Sequence, residues 1–228
     1  NNILDGLYNE WYSNGTLKYE KNYVNNILDG VYKEWYENGT LRNERNYKNG
    51  KNHGVYKEWW YSSGKLTYEK NYVNNILDGL YNEWYSNGTL KIAMNYKNGK
   101  NHGLYREWYE NETLRNERNY KNGWKHGLYR EWYSNGTLKY EINYFTGTLE
   151  EKRKIIKYNI LNEVSKISMN QSKSKISSKI ITDYYLNSES IIEKKHGSYK
   201  GWYPNGKLEI QGYYFNNNRH GQWKLYYE

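Results

Sequence analysis

Five histidines in this chain each stand directly before a glycine, at His53, His102, His126, His196 and His220. Six glutamates recur at one offset, at Glu10, Glu34, Glu58, Glu83, Glu107 and Glu131. Imidazoles at regular spacing are the raw material of a metal site, and paired carboxylates are that of glycoside hydrolysis. Neither chemistry fits the pattern. Equivalent residues of neighbouring hairpins lie roughly 10 Å apart, too far to share one ion. Aspartate takes the histidine slot at Asp5, Asp29 and Asp78, and a slot open to Asp and His alike suits a side chain that caps a turn through local backbone. The glutamates share one context, so they lack the asymmetry that separates an acid from a base. They read as cross-strand partners of Lys21, Arg45, Lys70, Arg118 or a tyrosine hydroxyl. No Ser–His–Asp or Cys–His set is present. The chain reads as a non-enzyme, with no catalytic, cofactor-binding or metal-binding residue and no cofactor.

The element that must position these residues is a repeat. Copies begin at Gly6, Gly30, Gly54, Gly79, Gly103, Gly127, Gly197 and Gly221. The spacing is 24 residues and becomes 25 once, where Trp59-Trp60 doubles the usual single Trp. A period of this length signals a stacked array. Each unit reads as a β-hairpin closed by Asn14-Gly15, Asn38-Gly39, Asn87-Gly88, Asn135-Gly136 or Asn205-Gly206, with Ser63-Gly64 and Asn111-Glu112 as weaker versions. The pair predicts a two-residue type I′ turn with φ > 0 at both positions. That turn sets Tyr12 opposite Leu17, Glu10 opposite Tyr19 and Tyr8 opposite Lys21.

One face then carries Tyr8, Glu10, Tyr12, Leu17, Tyr19, Lys21 and Tyr23, and the other Leu7, Asn9, Trp11, Lys18, Glu20 and Asn22. Stacked units make a ladder of Trp11, Trp35, Trp59, Trp84, Trp108, Trp132 and Trp202 and another of the tyrosines. Such ladders hold adjacent hairpins together. In a sheet one layer thick they also form an aromatic platform, and exposed apolar patches mark contact sites. The Trp ladder is one candidate interaction surface.

Composition agrees. The chain has 30 Tyr and 10 Trp against 2 Phe, and mean hydropathy is −1.22. Rings with polar tips suit a thin sheet, packed on one side and wet on the other. There is no cysteine, which excludes disulfides and thiolate metal sites. No apolar run reaches the length of a membrane span. Net charge is +9, but Lys and Arg lie beside Glu throughout, as on a solvated surface. Concentrated positive charge occurs at Lys152, Arg153 and Lys154, the second candidate surface.

Three regions follow: six hairpin repeats over 1–148, degenerate repeats over 149–196 and terminal repeats over 197–228. The middle stretch loses Trp but spans close to three periods, which suits two degenerate hairpins. A short helix plus loop is the rival reading. Asn1 to Gly6 copies Asn25 to Gly30, so the chain is expected to begin inside a repeat junction, at a truncated or processed start.

These residues resemble the MORN repeats, in the bacterial variant called MORN type 2. The pattern is carried by Gly103, Trp108-Tyr109, Leu114, Glu117, Tyr120, Asn122-Gly123 and His126-Gly127, and it covers about 180 of the 228 residues. The departures are at 149–196 and at Asn111-Glu112. The resemblance implies an all-β fold, an elongated single-sheet β-solenoid of stacked hairpins. It also implies a scaffold in protein or membrane contact, with some relatives labelled as antitoxins and others secreted or on the surface of host-associated bacteria. Plant lipid kinases carry such arrays, but this chain has no phosphate-cradling glycine loop and no Mg-binding Asp motif.

The expectation is therefore a non-enzymatic protein-interaction scaffold, secreted or on the cell surface, with a protein as first partner. Carbohydrate and anionic lipid are the alternatives, and nucleic acid ranks below them. The rival role is an antitoxin-like binder of a cytoplasmic toxin.

Overall fold

The computed structural model describes residues 3–145 and 194–227. Among them every regular element is a strand. Hairpins follow one another along the chain: β1 (Gly6–Trp11) with β2 (Leu17–Val24), β3 (Ile27–Trp35) with β4 (Leu41–Lys48), β5 (Lys51–Trp59) with β6 (Leu66–Val73), and β7 (Ile76–Trp84) with β8 (Leu90–Lys97). The fifth pairs β10 (Gly103–Trp108), preceded by the short β9 (Lys100–Asn101), with β11 (Leu114–Lys121). Then come β12 (Trp124–Trp132) with β13 (Leu138–Phe145), β14 (Lys194–Trp202) with β15 (Leu208–Phe215), and the lone β16 (Asn218–Leu225). All lie in one antiparallel sheet in chain order, with β9 paired to β8 beside the main path. The single-sheet array of hairpins is thus as expected.

The turns differ from expectation in an instructive way. The Asn14-Gly15 end is a three-residue loop, not a two-residue one. The Gly15 N–H donates to the Tyr12 carbonyl at 3.0 Å and the Tyr12 N–H to the Thr16 carbonyl at 2.8 Å. Gly15 alone has positive φ, at 84°, while the Asn14 Oδ1 accepts the Thr16 N–H at 2.9 Å. This is the type I turn closed by a left-handed residue. Trp11 therefore faces Leu17, not Tyr12. A bulge at once restores the register, so that Glu10 faces Tyr19 and Tyr8 faces Lys21 as expected. The bulge exchanges the faces of Leu17 and Lys18.

The two-residue turns with positive φ at both positions stand at the opposite edge, in the repeat junctions. Asn25 and Asn26 have φ of 49° and 66°, and Asn49 and Gly50 have 50° and 72°. The 25-residue unit also needs correction. Trp59 keeps the ladder position opposite Leu66, Trp60 takes the place of Tyr12, and the added residue lengthens the loop before Gly64.

β13 pairs directly with β14, setting Glu141 opposite Lys200 and Ile142 opposite Tyr199. Glu20 and Lys21 keep the same register with Lys33 and Tyr32. The sixth and seventh hairpins are therefore continuous, with no unit between them. The reading of 149–196 as degenerate hairpins or helix lies outside the described residues up to 193, and 194–196 belong to β14. A sheet with two open faces buries little. Tyr105, Tyr129 and Ile142 are its buried apolar residues, among those described.

Candidate interaction surface

The junction sets where the side chains point. Lys21 faces Tyr32 but Tyr23 faces Leu28, so Asn22 alone opposes Asp29, Gly30 and Val31. Gly30 takes φ of 103° in this bulge, and a Cβ there would lie 3.3 Å from the Asn22 Cβ. The Asn22 amide donates to the Val31 carbonyl at 3.0 Å, giving a partner to backbone that the bulge displaces. Asp29 and Asp78 do cap turns, but in the following unit. They accept the N–H of Asn49 and Asn98, each at 2.9 Å. His53, His102 and His126 hold the same slot with Nδ1 buried and without a hydrogen bond, and nothing in the structure explains the exchange.

The tyrosine face is a connected network. Rings meet edge to face within a hairpin, as at Tyr32–Tyr47 (6.0 Å) and Tyr105–Tyr120 (6.1 Å), and at a tilt between hairpins, as at Tyr19–Tyr32 (6.0 Å). Cations lie over them: Lys21 is 4.0 Å from the Tyr19 ring, Lys70 4.2 Å from Tyr68 and Arg118 4.1 Å from Tyr105. These were the cations expected to pair with the glutamates. The bulged residue does so instead. Lys18 reaches Glu10 at 3.0 Å, Arg42 reaches Glu34 at 2.8 Å, Arg115 reaches Glu107 at 2.9 Å and Lys139 reaches Glu131 at 2.8 Å. The tyrosine hydroxyl expectation holds, with Tyr56 donating to Glu58 at 2.6 Å and Tyr129 to Glu131 at 2.9 Å.

Two further contacts had no sequence forewarning. Asn43 and Asn116, both buried, donate to Glu34 and Glu107 at 2.8 and 2.6 Å. The Tyr12 hydroxyl donates to the Trp35 carbonyl at 2.9 Å, and Tyr85 and Tyr109 repeat this toward Trp108 and Trp132. Each such bond ties a unit to the next, and the Tyr before the turn at this offset is its signal.

Electrostatics follow from this packing. Burial, aided by the neighbouring Glu107, pushes the Tyr105 hydroxyl up to about 12. Burial also takes Tyr129 to about 12. Burial by itself would raise Glu131, but hydrogen bonds from Lys139, Tyr140 and Tyr129 outweigh it and hold the carboxyl below its ordinary value. The bond to Glu131 raises Lys139 in turn.

Among the described residues the opposite face is open and ordered in stripes. Trp11, Trp35, Trp59, Trp84, Trp108, Trp132 and Trp202 each face a leucine: Leu17, Leu41, Leu66, Leu90, Leu114, Leu138 and Leu208. Trp11 on the edge strand is 57% exposed, and the other six are half-buried. The structure thus aligns the predicted Trp residues in one row. Lys152, Arg153 and Lys154 lie outside the described residues.

Two residues back along each strand runs a stripe of alternating sign. Successive directly opposed residues are Asn9, Glu20, Lys33, Glu44, Lys57, Glu69, Asn82 and Ala93. The stripe continues through Arg106, Glu117, Arg130, Glu141, Lys200, Gln211 and Lys224. Lateral ion pairs within it are mostly loose, at 3.9 Å for Lys33–Glu20 and 3.6 Å for Lys57–Glu69, with Arg106–Glu117 close at 2.8 Å. Among the described residues no group of three or more His, Cys, Asp or Glu is placed to hold a metal ion.

Seven segments of the chain match the family described as MORN repeat variant: residues 4–25, 28–49, 53–74, 77–98, 101–122, 125–145 and 195–216. Together they cover about two thirds of the sequence. No curated protein matches the chain.

Proposed function

The chain belongs to the MORN repeat variant family, and on that premise we propose that it is a non-enzymatic interaction scaffold that takes a protein partner along its Trp face. The family is one of repeat-based binding scaffolds and is generally non-enzymatic. The observation that carries the proposal is the difference between the faces. Tyrosine-face side chains are engaged with one another, whereas on the Trp face the described residues leave a long Trp–Leu row and a charged row beside it uncovered. Leu7 and Leu80 on this face are 61% and 50% exposed. Aromatic and aliphatic rows flanked by fixed charges of both signs suit a protein surface. Anionic lipid and nucleic acid call for one sign, and here each of Lys33, Lys57, Arg106 and Arg130 stands beside a glutamate.

The test is a photo-crosslinking amino acid placed at Trp108, and at exposed Ser63 on the turn edge as control, followed by irradiation in cells of the source. A defined protein adduct from position 108 alone supports the proposal. Vesicle or glycan binding without any protein adduct overturns it. In this reading the array acts outside the cell or on its surface, and capture of a cytoplasmic toxin is the alternative. Antibody labelling of intact cells separates the two.

A further inference from the structure

The charged stripe has a property that its separate ion pairs do not reveal. The Trp residues of the row, and every cation of the stripe within the seven hairpins, occupy first strands, whereas the leucines of the row and every carboxylate of the stripe occupy second strands, with Asn9, Asn82, Ala93 and Gln211 as neutral exceptions. Suppose a second copy is laid face to face by a two-fold axis parallel to the strands. With the axis on a strand, first strands meet first strands, so Trp meets Trp and Lys meets Lys. With the axis midway between two strands, first meets second, so Trp meets Leu and cation meets carboxylate. The neutral break at Asn82 and Ala93 then selects one axis, between β7 and β8. Those two residues, themselves directly opposed, face each other's copies at the centre. Outward from them Glu69 faces Arg106, Lys57 faces Glu117, Glu44 faces Arg130, Lys33 faces Glu141 and Glu20 faces Lys200. At the ends of the overlap neutral Asn9 meets neutral Gln211, and Lys224 on β16 lies beyond it with no strand opposite. Moving the axis by one strand keeps opposite signs in register but leaves central charges opposite neutral residues, Lys57 and Glu69 opposite Ala93 and Asn82 in one direction, or Arg106 and Glu117 opposite the same two in the other.

We propose that the partner of the Trp face is a second copy of this chain, packed antiparallel about that axis. The proposal rests on the reading that the Trp face is the interaction surface. In the same arrangement Trp108 faces Leu66, Trp132 faces Leu41 and Trp35 faces Leu138. Like charges directly opposed across an interface are disfavoured while opposite ones fix register, so the pattern specifies both the partner and the alignment. Sheets of the same hand keep step as they twist and pack with side chains interdigitated about 10 Å apart. The contact is large enough. Fourteen strands at roughly 4.8 Å, each giving about 17 Å of width, present on the order of 1,100 Å² per copy, against about 800 Å² per partner in a stable interface.

The test is a charge-reversal exchange read by sedimentation equilibrium of the full chain. Lys57→Glu brings like charges together twice per dimer, as does Glu117→Lys. Each variant alone is expected to weaken self-association about a hundredfold. Mixing the two is expected to restore a dimer of near wild-type affinity. The glutamate introduced in one copy then meets the lysine introduced in the other, and at the second position native Glu117 meets native Lys57. Lateral neighbours are not repaired by mixing, so recovery reports the cross-dimer contact alone. If either variant fails to fold, Lys33→Glu with Glu141→Lys repeats the exchange. A monomeric wild type, single variants that dimerise normally, or a mixture that stays monomeric each overturns the inference. A monomeric wild type that still gives a protein adduct at position 108 does so while leaving the scaffold reading intact. Monomer and no adduct end both.

Discussion

The two faces of this sheet are built from the same strands and treat their side chains in opposite ways. On the tyrosine face Glu107 receives Arg115, Asn116 and Tyr105 at once, and Tyr105 is 7% exposed with Arg118 over its ring. On the Trp face, one residue further along the same strand, Trp108 has a leucine opposite and stays half-buried. Among the described residues the sheet has no second layer to bury apolar area, so one face must supply cohesion through its own side chains. That frees the other for a partner. Stability should therefore live on the tyrosine face and association on the Trp face.

Alkali is the broadest way to break this division. Neutral Tyr105 and Tyr129 are favoured in the folded chain, with their ionisation raised to about 12 from about 10 in an unfolded chain. The stabilisation is full below pH about 10 and is lost as pH rises through 12. The raised Lys139 acts in the same direction. Circular dichroism should show the array melting across that window, while Tyr105→Phe with Tyr129→Phe shifts the loss to higher pH. An unchanged profile in the double variant would place the alkaline weakness elsewhere.

Single truncations sharpen the comparison. Tyr105→Ala should cost about 3 kcal/mol, in the range for emptying a buried aromatic site, and leave the remaining Trp face able to associate. Trp108→Ala removes a ring that is only half covered, so its cost to stability should be the smaller, but self-association should weaken strongly. Urea titration and sedimentation of both variants check this. The division fails if Trp108→Ala is the more destabilising of the two.

The smallest effect concerns a turn. Glu112 holds φ of 66° where the other hairpin turns have glycine. Glu112→Gly should raise stability by about 1 kcal/mol, the usual cost of a left-handed non-glycine residue, and leave association untouched because the turn lies off both faces. A shift in dimer affinity with no gain in melting temperature contradicts this.

Much of the fold is legible in the sequence because the hairpin register survives an error. Asn14-Gly15 reads as a two-residue turn, yet the actual three-residue loop and the bulge at Lys18 cancel. Glu10 therefore meets Tyr19 either way. The cancellation hides its side effect, which is that Lys18 rather than Lys21 reaches Glu10. The same Asn-rich chemistry also marks the junction turns at Asn25-Asn26 and Asn49-Gly50, so turn residues alone do not say which edge carries which turn. The Trp row is visible because it needs only the period. The alternating charge stripe is not, because it depends on register across the junction, where the bulge at Gly30 adds residues to one strand. Ala93 stands out as a missing glutamate in the sequence, but its meaning depends on Asn82 lying opposite. The continuity of β13 with β14 is likewise a long-range pairing that no local pattern announces.

Hydroxyl-radical footprinting across a protein concentration series tests the central claim most directly, since it reads both faces in one sample. As association proceeds, oxidation of Trp35, Trp59, Trp108 and Trp132 should fall together, while Tyr23, Tyr47 and Tyr96 on the other face react at unchanged rates. Protection on the tyrosine face, or none on either face while the dimer forms, contradicts the account.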